Sequence, residues 1–313
     1  MEIRLARPDE IPFLVEMCRW FTTSPFQFDD RLEGIAGGFE PAFGREMLRS
    51  PSTVTYVARD GEIVGFIAFH PLSPISEYAG KRIGNILLLV VKPEHQGKGI
   101  GKTLVKKALH HLRNLQIELV TVGTDLYNIP ALQVYTSQGF FPRLVWHIFR
   151  FYYDREFSLS PLVRPLSLQE ISPFVPYFSR PLSLLKDKIL NREALRTYLV
   201  DKWKNQIAQG KIFCLGYCPN DTPVALLTVQ QDSLAEKTLQ TPKPVYKILD
   251  LLLLPQAERE TLITLLRDVS ARFPASLVEI WIDAEQNDTI QVVEEAGFRL
   301  AYSGITLHAL LER

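Results

Sequence analysis

Gly97, Gly99 and Gly101 stand at alternate positions, with Gln96 ahead of them, Lys98 and Ile100 between them and Lys102 directly after. Glycine removes Cβ where a backbone turns sharply and leaves consecutive N–H groups exposed, which suits a phosphate or pyrophosphate. The stretch is neither a Lys-Ser/Thr-closed phosphate loop nor a G-x-G-x-x-G dinucleotide turn. By itself it is also compatible with a plain strand-to-helix turn. A second candidate is Tyr135, seven residues after Asn128 and four before Gly139. An unperturbed phenol, with pKa about 10, keeps its proton at neutral pH and can give it to a departing anion. The plain alternative is a core aromatic at helical spacing.

The surrounding pattern says which elements must hold these residues. Ile86 to Val91 is a continuous aliphatic run, read as a strand buried on both faces and ended by Pro93. Ile100, Leu104, Val105, Ala108, Leu109, Leu112 and Leu115 then recur at three- and four-residue spacing, with Lys102, Lys106, Lys107 and His110 turned outward. The glycine loop therefore opens a helix, whose N-terminal dipole favours an anion. A further strand is expected over Ile117–Gly123. A helix should follow, with Asn128 as a candidate N-cap, Pro130 in its first turn and Gly139 closing it.

In order, these features are a strand, V-x-P, Q-x-x-G-x-G, a helix, a strand and N-x-x-A-x-x-x-Y-x-x-x-G-F. The pattern closely resembles the GNAT superfamily of acetyl-CoA-dependent N-acetyltransferases, over Asn85 to Pro142 closely and over the first half loosely. The resemblance implies acetyl-CoA as cosubstrate and a primary amine, of a small molecule or a peptide, as acceptor. It implies backbone pyrophosphate contacts from Gln96, Gly97, Lys98, Gly99, Ile100 and Gly101, with Lys98 and Lys102 meeting phosphate charge. Leu89 and Val91 would pair with the pantetheine amides like an added strand. Asn128 would bond the cofactor arm or a water, and Tyr135 would be the general acid. Family members often carry an acidic residue on the central strand, but Asn85 to Val91 contains none. His70, Glu77, Asp125 and His147 are the remaining base candidates, Glu77 being taken provisionally.

The chain of 313 residues, 46% hydrophobic, is long enough for two domains. Its 35 basic and 35 acidic residues cancel, so no nucleic-acid or acidic-membrane partner is expected. The absence of a basic-plus-apolar leader and of an apolar run near 20 residues leads to the expectation of a soluble, cytoplasmic protein. Cys18, Cys214 and Cys218 read as buried thiols. Met1–Ala6 reads as a strand and Asp9–Trp20 as a helix, followed by a polar and aromatic stretch, Phe21–Phe39. In the family that region lines the acceptor pocket; an ordinary surface loop is the alternative. Thr53–Arg59 and Ile63–His70 form a hairpin through Asp60-Gly61, and Phe140–Tyr153 supplies two short strands around Arg143.

The second half echoes the first. Val163-Arg164-Pro165 with Gln169-Glu170-Ile171 repeats Ile3-Arg4 with Asp9-Glu10-Ile11. A hairpin over Lys211–Tyr217 and Val224–Val229, an aliphatic strand Ile248–Leu254 before Pro255, a strand Leu277–Ile282 and Gly297-Phe298 complete the repeat. The expected fold is α/β, with two tandem GNAT-type domains, 1–156 catalytic and 157–313 degenerate. Each is a mixed, mostly antiparallel sheet flanked by helices and splayed at its central strand. After Pro255 there is no glycine, Glu258 and Glu260 would repel a pyrophosphate, and Val293 stands in the place of Tyr135. The second domain is expected to cover the acceptor side, form a homodimer or orient the first domain; a stabilising wing is the alternative. For the whole chain, direct acetyl transfer in a ternary complex competes with an acyl-CoA-binding regulatory module and with an interaction protein.

Overall fold

The computed structural model describes residues 1–20, 43–152, 157–177, 190–233, 235–236, 243–274 and 276–311. The Phe21–Phe39 acceptor-loop expectation lies outside them, as does the proposed domain boundary at 156. Among the described residues, twelve strands form one sheet in the order β1-β2-β3-β4-β5-β12-β6-β11-β10-β9-β8-β7. The first half supplies β1 (Glu2–Leu5), β2 (Val54–Asp60), β3 (Glu62–His70), β4 (Ile83–Val91), β5 (Leu119–Asp125) and β6 (Phe141–Tyr152). The second supplies β7 (Val163–Pro165), β8 (Phe213–Tyr217), β9 (Ala225–Gln231), β10 (Val245–Leu253), β11 (Leu277–Asp283) and β12 (Arg299–Leu310). The helices used below are α1 (Ile11–Met17), α2 (Ile100–Asn114), α3 (Ile129–Thr136), α4 (Arg192–Ala208), α5 (Arg259–Arg272) and α6 (Asn287–Glu295). The α/β class, the mostly antiparallel sheet and the repeat are as expected.

Several local readings are corrected. Phe140–Tyr153 is one twelve-residue strand rather than two short ones. The helix over Asp9–Trp20 is α1 between two 3-10 turns, Pro8–Glu10 and Cys18–Trp20; Pro12 has no N–H to bond back to Pro8, which separates the first turn from α1. Leu115 lies past the end of α2 and is exposed. β4 is not buried on both faces throughout: Leu87, Leu89 and Val91 are only half-buried because they line a cavity.

That alternation has a local cause. Against β3, Ile86 pairs with Phe69 but Leu88 pairs with Ala68, so one extra residue, Leu87, bulges from β4. The bulge shifts the period-two alternation by one. Ile86 therefore shares a core with Leu104, Ala108 and Tyr135. Leu88 and Val90 face the opposite side, with Leu14, Met17 and Phe66.

The two halves exchange their final strands. β12, from the second half, pairs with β5 from Leu119/Leu310 to Asp125/Gly304. β6, from the first half, pairs with β11 from Tyr152/Leu277 to Trp146/Asp283. β6 and β12 pair with each other through Trp146 opposite Gly304. Exchange satisfies both sheet edges that would otherwise be open. A buried ion pair, Arg150 Nε to Glu279 Oε2 at 3.4 Å, crosses the same junction, and Trp281 Nε1 donates to Glu279 at 3.0 Å. The three cysteines are buried thiols outside any disulfide, and burial pushes the Cys214 thiol up to about 12, which keeps it unreactive.

Gly304 is required by its partner, since a Cβ there would lie 2.2 Å from Cζ2 of Trp146. Gly304→Ala is expected to destabilise the whole chain by about 1–3 kcal/mol, the usual cost of overpacking. Trp146→Ala in the same chain should remove most of that penalty. Urea unfolding of the four variants checks this, and an unaltered midpoint for Gly304→Ala would refute it.

Candidate functional site

β4 and β5 run parallel and pair only from Ile83/Leu119 to Ile86/Val122. Beyond that point they part around a cavity of about 390 Å³. β5 cannot follow β4, because its other edge is held by β12 along its full length. Leu87, Leu89 and Val91 form the β4 wall; Gly123 and Thr124 belong to β5. The turn before α2 and the start of α3 close the ends.

Gly97 and Gly99 have φ of +73° and +79°, in the left-handed region where a Cβ is disfavoured. Nothing lies within 4 Å of a Cβ at either position, so their backbone faces open space rather than packed protein. A Cβ on Gly101 would stand 3.7 Å from Val134 and 3.8 Å from Leu89, across the width of the slot. Gly99 is the N-cap of α2, with no side-chain capping bond, and no acidic residue occupies the first turn. The free N–H groups at the start of this fifteen-residue helix therefore point at the cavity with a favourable dipole. Gln96 donates its side-chain amide to the Val91 carbonyl at 3.0 Å, which ties the loop back to β4. The arrangement fits an anionic head with an extended arm.

The structure brings Leu89, Val91, Gln96, Gly97, Gly99, Ile100, Gly101, Lys102, Asn128 and Tyr135 onto this one cavity. Lys98 is exposed and does not line it. Asn128 accepts from the Ala131 N–H at 3.1 Å, so it caps α3 while bordering the cavity. Tyr135 lies on α3, 4% exposed, edge-to-face on Phe140 at 5.5 Å. Burial raises its pKa well above the ordinary phenol value, so it holds its proton throughout the neutral range.

The base candidates are elsewhere. Glu77 is exposed on a short helix, Ser76–Ala79, which packs against α4 through Tyr78 stacked on Tyr198 at 3.8 Å. His70 contacts Thr53 Oγ1 at 3.1 Å, and burial lowers its pKa. Asp125 is buried and accepts from the Tyr127 N–H at 2.7 Å, shaping the turn after β5. His147 meets Ser303 Oγ at 2.8 Å; burial lowers its pKa, opposed by Asp283. None of these four lines the cavity, and among the described residues the cavity has no carboxylate.

Sequence reasoning missed Trp20, Leu87, Thr124, Ala131 and Val134, all of which line the cavity. Trp20 ends the 3-10 turn after α1, with the Lys92 ammonium 5.8 Å from its ring centroid and 2.7 Å from Glu62. Its position directly before the polar-aromatic stretch was the available signal. Leu87 had none, since a bulge is set by cross-strand register.

The profile of the Acetyltransferase (GNAT) family matches residues 14–140, which include every lining residue of the cavity. The mycothiol acetyltransferase of Thermomonospora curvata is 33% identical over 135 residues, covering 42% of this chain and 40% of that protein. That of Saccharomonospora viridis is 36% identical over 83 residues, covering 26% and 27%. The chain thus spans less than half the length of these curated relatives. Among solved structures, a GCN5-related N-acetyltransferase from Sphaerobacter thermophilus covers 100% of this chain and 96% of its own, at 15% identity and TM-score 0.64. A tandem GNAT protein from the clavulanic acid biosynthesis pathway covers 100% and 99%, at 14% identity and TM-score 0.60. At these identities the likeness is one of fold.

Tyr135, and Tyr302 at 5% exposure, stay neutral in the folded chain with pKa values raised by burial, whereas unfolded phenols ionise near pH 10. Their contribution to stability is fully present below about pH 10 and is lost as pH rises beyond it, at about 1.4 kcal/mol per pH unit for each phenol. Tyr135→Phe should therefore reduce the alkaline slope of the unfolding free energy by about one proton. Equal slopes in denaturation series run from neutral to alkaline pH would refute this placement.

Proposed function

We propose that this chain, whose residues 14–140 match the Acetyltransferase (GNAT) family profile, is an N-acetyltransferase. It moves an acetyl group from acetyl-CoA to the primary amine of a small molecule or peptide by direct transfer in a ternary complex. The observation that supports this reading is the convergence of three features on one cavity: an open glycine cradle, a β4 edge freed from β5, and a protonated Tyr135. Bound acetyl-CoA supplies an activated thioester acyl group.

Each residue then has a physical task. Backbone N–H groups of Gly97 to Gly101 and the α2 dipole hold the pyrophosphate, with Lys102 adding charge from the first turn. Past Ile86, the edge of β4 around Leu89 and Val91 offers backbone groups to an amide-bearing arm. Leu87, Leu89, Ala131 and Val134 exclude water. Burial disfavours the phenolate, so Tyr135 is protonated when the thioester arrives; it donates that proton to the thiolate as the C–S bond breaks, and the proton shed by the newly acylated nitrogen restores the phenol. The amine arrives neutral from solution, because no carboxylate lines the cavity among the described residues. That same observation supports a second reading, an acyl-CoA-binding module without turnover; release of free thiol with any amine separates the two.

Tyr135→Phe is expected to lower kcat by about 10²–10⁴ while acetyl-CoA affinity changes less than about threefold. Gly99→Glu, which puts a side chain and a negative charge into the cradle, is expected to weaken acetyl-CoA binding at least about tenfold. Calorimetry and steady-state kinetics on the intact chain check both. Equal loss of affinity in the two variants, or full affinity in the second, would sink the assignment.

A further inference from the structure

The sheet opens a second time. β10 pairs with β11 only from Val245/Leu277 to Ile248/Ile280. On its other side, β10 carries the irregularity seen in β4: Ile248 pairs with Val229 on β9, and Asp250 with the next residue, Thr228. Beyond Ile248 the two strands part around a cavity of about 620 Å³. Along it, Leu251 to Leu253 pair only with β9, and Trp281 and Ile282 pair only with β6. Two strand edges thus face one another across a gap, and backbone edges of this kind are completed by an extended chain carrying amides.

The walls select which amide chain. Leu251, Leu253 and Ile282 are apolar, and Trp146 stacks on Trp281 with centroids 4.8 Å apart. The Lys247 ammonium lies 3.3 Å from the Trp281 centroid, so it is seated on that ring. The helix start beside β10 shares the missing side-chain cap of the first cradle but has neither its glycines nor its acid-free first turn. Residues 254–258 contain no glycine, Glu258 is the N-cap of α5 and Glu260 lies in its first turn. Phosphate is therefore repelled where the first cavity attracts it. Asp250 and Asp283 are buried acidic residues of the same lining, which also holds the Lys247 cation. Val293, buried on α6, takes the place of Tyr135, and the phenol that does line this cavity, Tyr177, is solvent-exposed and comes from a different element.

We infer that this cavity binds a short, uncharged, extended peptide, apolar at alternate residues, which adds as a strand between β10 and β11. Backbone amides supply the hydrogen bonds, and the leucine, isoleucine and tryptophan walls take the side chains. The inference is independent of acetyl transfer by the first half.

The test is calorimetry on the full chain carrying Gly99→Glu, so that the first cradle is closed, with N-acetyl-leucyl-leucinamide, pantetheine and coenzyme A as probes. The capped dipeptide should bind at one site, more tightly than pantetheine, and coenzyme A should give no heat. Leu251→Arg should weaken the dipeptide at least tenfold. Leu253→Arg serves as a second wall variant, and acetyl-CoA binding with Gly99 intact shows that either variant folds. No dipeptide heat, unchanged affinity in both folded arginine variants, or tighter binding of pantetheine or coenzyme A would overturn the inference.

Discussion

The structure depends on the antiparallel ladder between β6 and β12, centred on Trp146 opposite Gly304. Each half ends one strand short of closing its own sheet and receives that strand from the other. A β-strand edge left in water or apolar solvent is costly and prone to wrong pairing, so the exchange makes one cooperative sheet from two repeats. Gly304 is glycine because the Trp146 indole lies over it. Asp125 at the end of β5 and Asp283 at the end of β11 are both buried, and each accepts a backbone N–H two residues on. The repeat is thus visible in single hydrogen bonds.

The exchange also explains the cavities. β5 is held by β12 and β11 by β6, each along its full length. The central strands β4 and β10 are bent by a bulge, follow β3 and β9, and leave their parallel partners after four residue pairs. A strand held on one edge and a strand bent away on the other must part, and the gap has backbone groups on its walls. The same frame therefore produces two slots, and only side chains and helix starts decide their chemistry.

At the first slot the helix start is made of glycines in the left-handed region with no acid in its first turn, and a protonated phenol lines the wall. At the second slot, glutamates begin the helix, valine replaces the phenol and paired tryptophans replace small residues. Electrostatics at a helix terminus act over a single turn, so a few substitutions are enough to remove the preference for an anionic ligand.

The sequence by itself determined the strand-loop-helix around Gly97, Gly99 and Gly101, the cap at Asn128, the place of Tyr135, and the loss of these features after Pro255. All are local: glycine conformation, helix periodicity and capping depend on residues within a turn or two. Only the tertiary structure decided that Phe141–Tyr152 is one long strand, that β12 completes the first half's sheet, and that Leu87 bulges. It alone placed Trp20 on the cavity and Glu77 away from it. These facts depend on which strands become neighbours and in what register, and a one-residue shift in register reverses the face of every side chain.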